Sequence, residues 1–229
     1  IKAPPHFVKL CKRHFLTVDL VTGIQVISYE GRSICNPKFQ GLRHEYVTRD
    51  SLALSPDTIA VVDTVDSKIV QVLDATTGRM LGKLTHSTEV TSLLLNQHAN
   101  GPQERLLAFT DKNRDMFVTN LQGGGGGPGG GGNNPMPVHK LHSHVESFAF
   151  NDETDMLVAL ADGRLRSWYF PQVCFVDMDL LPLTESSSDA AEFGHGAQIL
   201  AFSGNRIVLR KVDGSVLFTG SPLDVSLLY

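Results

Sequence analysis

The sequence is punctuated at a nearly constant interval. Short apolar runs alternate with Gly, Asp and Asn turns, and the hairpin turns centred near Val21, Val65, Lys112, Asp162 and Gly204 lie 44, 47, 50 and 42 residues apart. A period of about forty-odd residues, carried only by short strands, is the rhythm of β-propeller blades. The segment from Asp50 to Leu84 shows the unit. Ser51 to Leu54, Thr58 to Val62, Lys68 to Leu73 and Arg79 to Leu84 read as four strands, with Ala75-Thr76-Thr77-Gly78 turning the chain between the last two. β-Branched residues fill the strands and turn formers separate them. The last unit repeats the scheme over Gln198 to Phe202, Arg206 to Arg210 and Ser215 to Thr219, with turns at Gly204-Asn205 and Asp213-Gly214.

Five such units run from near Phe7 to near Thr219. The expected fold is therefore all-β, a partial WD40-type propeller of about five four-stranded blades, with the whole of 1–229 belonging to one propeller. Five blades can close a ring. The abrupt start at Ile1, with no Met and with Pro4-Pro5 before the first strand, favours a seven-bladed ring whose first blades lie outside this chain. Two segments break the rhythm. Residues 122–137, with glycines at 123–127 and 129–132, read as a disordered loop between the last two strands of a blade. No Lys and Ser/Thr follow in the pattern of a phosphate-binding loop. Residues 171–195 read as an inserted segment, and the stretch from Leu180 to Glu192 within it is the one candidate for a turn or two of helix.

Composition narrows the function. Of 229 residues 41 % are apolar and 19 % charged, a globular balance. The net charge of −4 and the scattered Lys and Arg residues argue against nucleic acid as a partner. No apolar run reaches membrane-spanning length, so no membrane insertion is expected. Cys11, Cys35 and Cys174 are odd in number and widely spaced, which suits buried free thiols in a reducing compartment.

No residue set announces catalysis. His139, His142 and His144 are close in sequence, but no Cys or carboxylate completes a four-ligand zinc set, and neither metal nor cofactor is expected. His142 and His86 each stand just before the first strand of a unit and read as structural blade residues. Trp168 ends a third strand, where a WD blade carries its Trp-Asp pair; here Tyr169 replaces the Asp. Asp74 occupies the matching place in the second unit, and Asp162 opens a hairpin with Gly163. These aspartates read as turn formers, and no nucleophile or acid–base motif accompanies them. The chain is read as non-enzymatic.

Beyond the rhythm, particular runs carry a likeness. Arg13-His14-Phe15-Leu16-Thr17-Val18-Asp19, Ser28-Tyr29-Glu30-Gly31-Arg32, Ala108-Phe109-Thr110-Asp111-Lys112-Asn113-Arg114-Asp115, Trp168-Tyr169-Phe170-Pro171 and Val176-Asp177-Met178-Asp179-Leu180-Leu181-Pro182 lead it. Asp189-Ala190-Ala191-Glu192-Phe193 extends it. Together they resemble the second propeller of an intraflagellar transport family, the eighty-kilodalton WD-repeat subunits of complex B. The likeness reaches loops and insertions as well as strands. The glycine tract departs from the family pattern and suggests a species with glycine-rich insertions, such as a green alga.

The resemblance implies a non-catalytic scaffold in the peripheral part of complex B, needed for cilium assembly and maintenance. It implies no cofactor. It places the protein in the cilium or flagellum, at the ciliary base and in the cytoplasm. The partners it implies are other complex B subunits and the protein's own C-terminal helical repeat region, with self-association left open. Leu180, Leu181 and Leu183 in the insertion are the candidate docking residues; packing of the insertion on its own blade is the equal alternative. Two rival functions stay in view: a propeller scaffold of another coat or ciliary trafficking complex, and a propeller that recognises a peptide.

Overall fold

Extended backbone wins wherever β-branched and leucine side chains alternate between two faces that can both be covered. In the computed structural model, which describes residues 5–98, 104–121 and 136–220, nineteen strands form five antiparallel sheets. The glycine tract read as a loop over 122–137 lies outside the described residues save for its last two positions. The chain divides into two compact units, Ile1–Leu95 with Ala99–Lys112 and Thr119–Val138, and Asn96–His98 with Asn113–Val118 and His139–Tyr229.

The first sheet is a meander of Phe7–Leu10 (β1), His14–Asp19 (β2), Gly23–Ser28 (β3) and Ser33–Cys35 (β4), and the second one of Leu52–Leu54 (β5), Thr58–Val62 (β6), Ile69–Asp74 (β7) and Met80–Thr85 (β8). Their facing surfaces merge into one core, in which Leu16, Val18, Val26, Leu52, Ile59 and Leu73 are buried. The third sheet comprises Val90–Leu95 (β9), Leu106–Asp111 (β10), Met116–Asn120 (β11) and Val138–His142 (β12), again in sequential order. Val145–Phe150 (β13), Leu157–Ala161 (β14), Arg164–Trp168 (β15) and Glu185–Ser187 (β16) make the fourth. Gln198–Ser203 (β17), Arg206–Arg210 (β18) and Val216–Gly220 (β19) make the fifth. Val158, Leu160, Phe202, Ile207 and Leu209 form the core of the second unit.

Burial along the second strand of each meander records how its sheet is covered. Every residue of β6, β10 and β14 is buried, so both faces of those sheets are packed. In β18 only Ile207 and Leu209 are buried, while Arg206 and Arg210 are exposed on the other face.

The turns between first and second strands are fastened from one sheet to the next. The Asp57 carboxylate, in the turn from β5 to β6, accepts from Nε and Nη2 of Arg105 at 3.0 and 2.7 Å. Arg105 immediately precedes β10 and is 1 % exposed. Asn96, following β9, donates to Asp155, in the turn before β14, at 2.6 Å. Asp152 accepts from the Ser203 hydroxyl at 2.7 Å, and Asn151 donates to the Gly204 carbonyl at 2.7 Å, in the turn from β17 to β18. At the other end His14, buried at the start of β2, faces the Ser55 backbone and the Asp57 charge.

Burial pulls the His14 imidazole below its ordinary value, with Arg13 adding to the effect and Ser55 and Asp57 only partly opposing it. For Asp57, burial alone would raise the carboxyl, but Arg105, Thr58 and Ser55 outweigh it and hold it below its ordinary value. Each folded form therefore resists protonation more than the unfolded chain does. Their contribution to stability is complete above pH 6.5 for His14 and above pH 3.8 for Asp57, and drains away as pH falls below each. Urea midpoints should thus fall in two stages on acidification, and His14→Gln should flatten the upper one. Arg105→Met, which strands the Asp57 charge, should cost about 3 kcal/mol by urea unfolding at pH 7. Adding Asp57→Leu should recover part of that loss.

Candidate interaction surface

The hairpin and blade residues singled out in the sequence occupy separate places. Asp74 ends β7, and its carboxylate accepts from the Thr76 and Thr77 amides at 2.8 and 2.7 Å and from the Thr76 hydroxyl at 2.6 Å. Burial opposes its charge, but these donors prevail and hold the carboxyl below its ordinary value. Asp162 lies at φ 52° with Gly163 at φ 72°, a left-handed pair of the kind that closes a two-residue hairpin between β14 and β15. A side chain at Gly163 would also meet the Gly194 backbone at 3.1 Å.

His86 stands edge-on to Phe109, with centroids 5.1 Å apart, and its Nε2 is 3.9 Å from Asp111 Oδ2. His142, the last residue of β12, has its ring tilted 6.4 Å from that of Trp168. Trp168 is wholly buried at the end of β15. The three neighbouring histidines do not converge. His139 meets Phe175 edge-on at 5.2 Å, His142 meets Trp168, and His144 sits in a left-handed turn at φ 58°. Among the described residues no group of three His, Cys, Asp or Glu could hold a metal ion.

The thiols are sequestered rather than poised for attack. Cys11, Cys35 and Cys174 are free, and their Sγ atoms lie 3.2, 3.2 and 2.9 Å from the carbonyls of His14, Ala75 and Pro171. Burial pushes Cys35 and Cys174 up to about 11 and raises Cys11 as well, which leaves each a protonated, weakly nucleophilic thiol at neutral pH.

What remains is the segment following Trp168. Pro171 fixes the first turn of a 3-10 helix over Pro171–Phe175. A second, Met178–Thr184, starts where the Asp177 carboxylate accepts from the Asp179 amide at 2.9 Å. The Tyr169 amide donates to the Thr184 carbonyl at 3.0 Å, so the chain leaves and rejoins its sheet at one point. The result is a compact loop with closed ends.

Within 171–195 the structure differs from the sequence expectation in one respect. The helical turns, over Pro171–Phe175 and Met178–Thr184, overlap only the start of 180–192, and Glu185–Ser187 is the outer strand of the fourth sheet, paired with Arg166 to Trp168. Pro182 lacks the amide an α-helix would need, and the open edge of β15 offers the following residues hydrogen bonds instead. Arg166 reinforces the pairing through Glu185 at 2.7 Å.

The three candidate leucines divide between two sides of this loop. Leu181 is buried, as are Pro171 and Cys174, whereas Leu180 is 39 % and Leu183 80 % exposed. Val176 at 84 %, Met178 and Phe170 are exposed with them. Sequence reasoning missed the Asp57–Arg105 pair and the Glu146 carboxylate, which accepts from the Gly196 amide at 2.7 Å and lies 3.3 Å from His195 Nδ1. Partners 48 and 50 residues apart leave no local signature.

The side-chain division makes a direct prediction. Leu181→Ala should cost about 2–4 kcal/mol in urea unfolding, because it empties a packed site. Leu183→Ala should change stability by no more than about 0.5 kcal/mol.

Comparison with known proteins gives this arrangement its relatives. The family described as the IFT80 second beta-propeller matches residues 1–223. The intraflagellar transport protein 80 homologs of rat and mouse are each 37 % identical over 209 residues, which is 90 % of this chain and 26 % of theirs. The chain thus spans about a quarter of the length of those relatives. Among solved structures, the β-propeller domain of Cps50 (Swd1) from Myceliophteria thermophila superposes with a TM-score of 0.60 at 12 % identity, covering 98 % of this chain and 69 % of that one. At that identity the likeness speaks for the fold alone.

Proposed function

Because the chain belongs to the family of the second β-propeller of intraflagellar transport protein 80, we propose that it is a non-catalytic scaffold within intraflagellar transport complex B. The observation that carries this reading is the family match over 1–223. Its propeller joins other complex B subunits, and the protein works in the cilium or flagellum, passing through the ciliary base and cytoplasm. The supporting physical picture is one of sites spent on structure. The His, Trp and Asp residues that could have served chemistry are engaged in rings, turns and ion pairs. The thiols are protonated, with Cys11 and Cys174 buried and Cys35 half-buried.

Within this reading His86, His142, Trp168, Asp74 and Asp162 serve the blades. The segment 171–195 is an insertion that remains anchored to its own blade while presenting Leu180 and Leu183 outward. The rest of the parent protein, including a C-terminal helical repeat region, and a second copy are further candidate contacts of the same scaffold. No helix among the described residues is long and apolar enough to cross a membrane.

The test is affinity purification of the full-length parent from ciliated cells, wild type against a version lacking these 229 residues. Quantitative mass spectrometry should show selective loss of complex B subunits. Full retention of every subunit would remove this propeller from complex B assembly.

A further inference from the structure

The loop closed by Tyr169 and Thr184 presents an apolar surface that its own sheet does not use. Val176 and Leu183 are 84 % and 80 % exposed, and Phe170, Met178 and Leu180 are exposed beside them. Exposure of single apolar residues is ordinary, but five within fourteen positions of a tied loop form a candidate contact patch. The loop is also fixed in place before any partner arrives. Leu181, Pro171 and Cys174 are buried, Phe175 meets His139 edge-on, and Asp177 caps the second 3-10 turn. A partner would therefore meet a formed surface and avoid the cost of ordering it.

Charge identifies the class of partner. From Ser167 to Asn205, a run of 39 residues, the sequence contains no Lys or Arg, while Asp177, Asp179, Glu185, Asp189 and Glu192 are acidic. Glu185 is occupied by Arg166, but Asp177 and Asp179 flank the exposed Met178 and stand in solvent. An apolar patch with exposed carboxylates beside it complements a helix that has an apolar stripe bordered by Lys or Arg. An acidic partner would meet repulsion. A second copy of the loop would bring the same negative charge against itself.

We propose that the surface formed by Val176, Met178, Leu180 and Leu183 docks a cationic amphipathic helix of another protein. This rests on the scaffold reading above and names the chemistry of one contact. The helix lays its apolar stripe on Leu183 and Val176, and its cations face Asp177 and Asp179.

The test is site-specific photocrosslinking in ciliated cells, with benzoylphenylalanine replacing Leu183 in the full-length parent and, as a control, replacing the exposed Val212. Mass spectrometry locates the crosslinked residues. The expected crosslink lies in a helical segment of another protein with Lys or Arg bordering an apolar stripe. Asp179→Lys, which leaves the Asp177 cap in place, should lower its yield about fivefold, the loss of more than half an order of affinity, without moving the thermal midpoint. A crosslink to a second copy, to lipid or to a segment without that pattern overturns the proposal, as does a yield no higher than at Val212. So does a yield that the charge reversal leaves unchanged. If complex B subunits still copurify in those cases, the scaffold reading stands and only the docking inference falls. If deleting the whole propeller releases no subunit, the scaffold reading falls on its own account.

Discussion

The contact on which the arrangement of the meanders depends is made by turns, where neither strand pairing nor apolar packing can fix a position. An antiparallel meander is hydrogen-bonded within itself, and the apolar contact between sheets is non-directional. Sheets packed only through leucine and valine could slide. The bidentate grip of Arg105 on Asp57, at 2.7 and 3.0 Å, fixes one such relation with directional, charge-assisted bonds. The bond from Ser203 to Asp152 does the same between the fourth and fifth sheets with shorter side chains. The chemistry changes along the chain, but the position does not: each time it is the turn between the first and second strands.

That recurrence accounts for how polar groups are distributed. Asp57 also accepts from the Thr58 and Ser55 hydroxyls, while its own carbonyl receives the Ala75 amide. A carboxylate so engaged orders its turn as well as the neighbouring sheet. Removing Arg105 would leave a poorly solvated charge among groups already committed elsewhere, which is why such a pair is costly to break even where an apolar pair would serve as well. The same commitment leaves these residues little freedom to act on a substrate, in keeping with the proposed scaffold role.

The fold was legible because its evidence is local and repeated. The Asp19 turn, the Thr76-Thr77 turn and the Asp162-Gly163 hairpin follow from the residues that form them. The strands between alternate as a half-buried or buried sheet requires. Less was legible wherever a residue's role depends on something distant. Nothing adjacent to Arg105 reveals that it will be 1 % exposed against a carboxylate 48 positions away. The insertion was legible as an interruption, but its internal order was not. Ser186 and Ser187 have weak strand character by themselves, and they become a strand because the edge of β15 is there to receive them.

The same segment shows why an apolar run cannot be assigned a role from its composition. Leu180, Leu181 and Leu183 are chemically alike, and the sequence offered docking and blade packing as alternatives for all of them together. Geometry separates them: Leu181 is buried, while Leu183 stands exposed. A contact surface without the buried residue would have to be ordered by each partner, at a cost in conformational entropy that weakens binding. A buried residue without the exposed ones would explain a stable loop but not its apolar outer side. The division between them leaves one short insertion with a buried side that packs and an exposed side that the docking proposal uses.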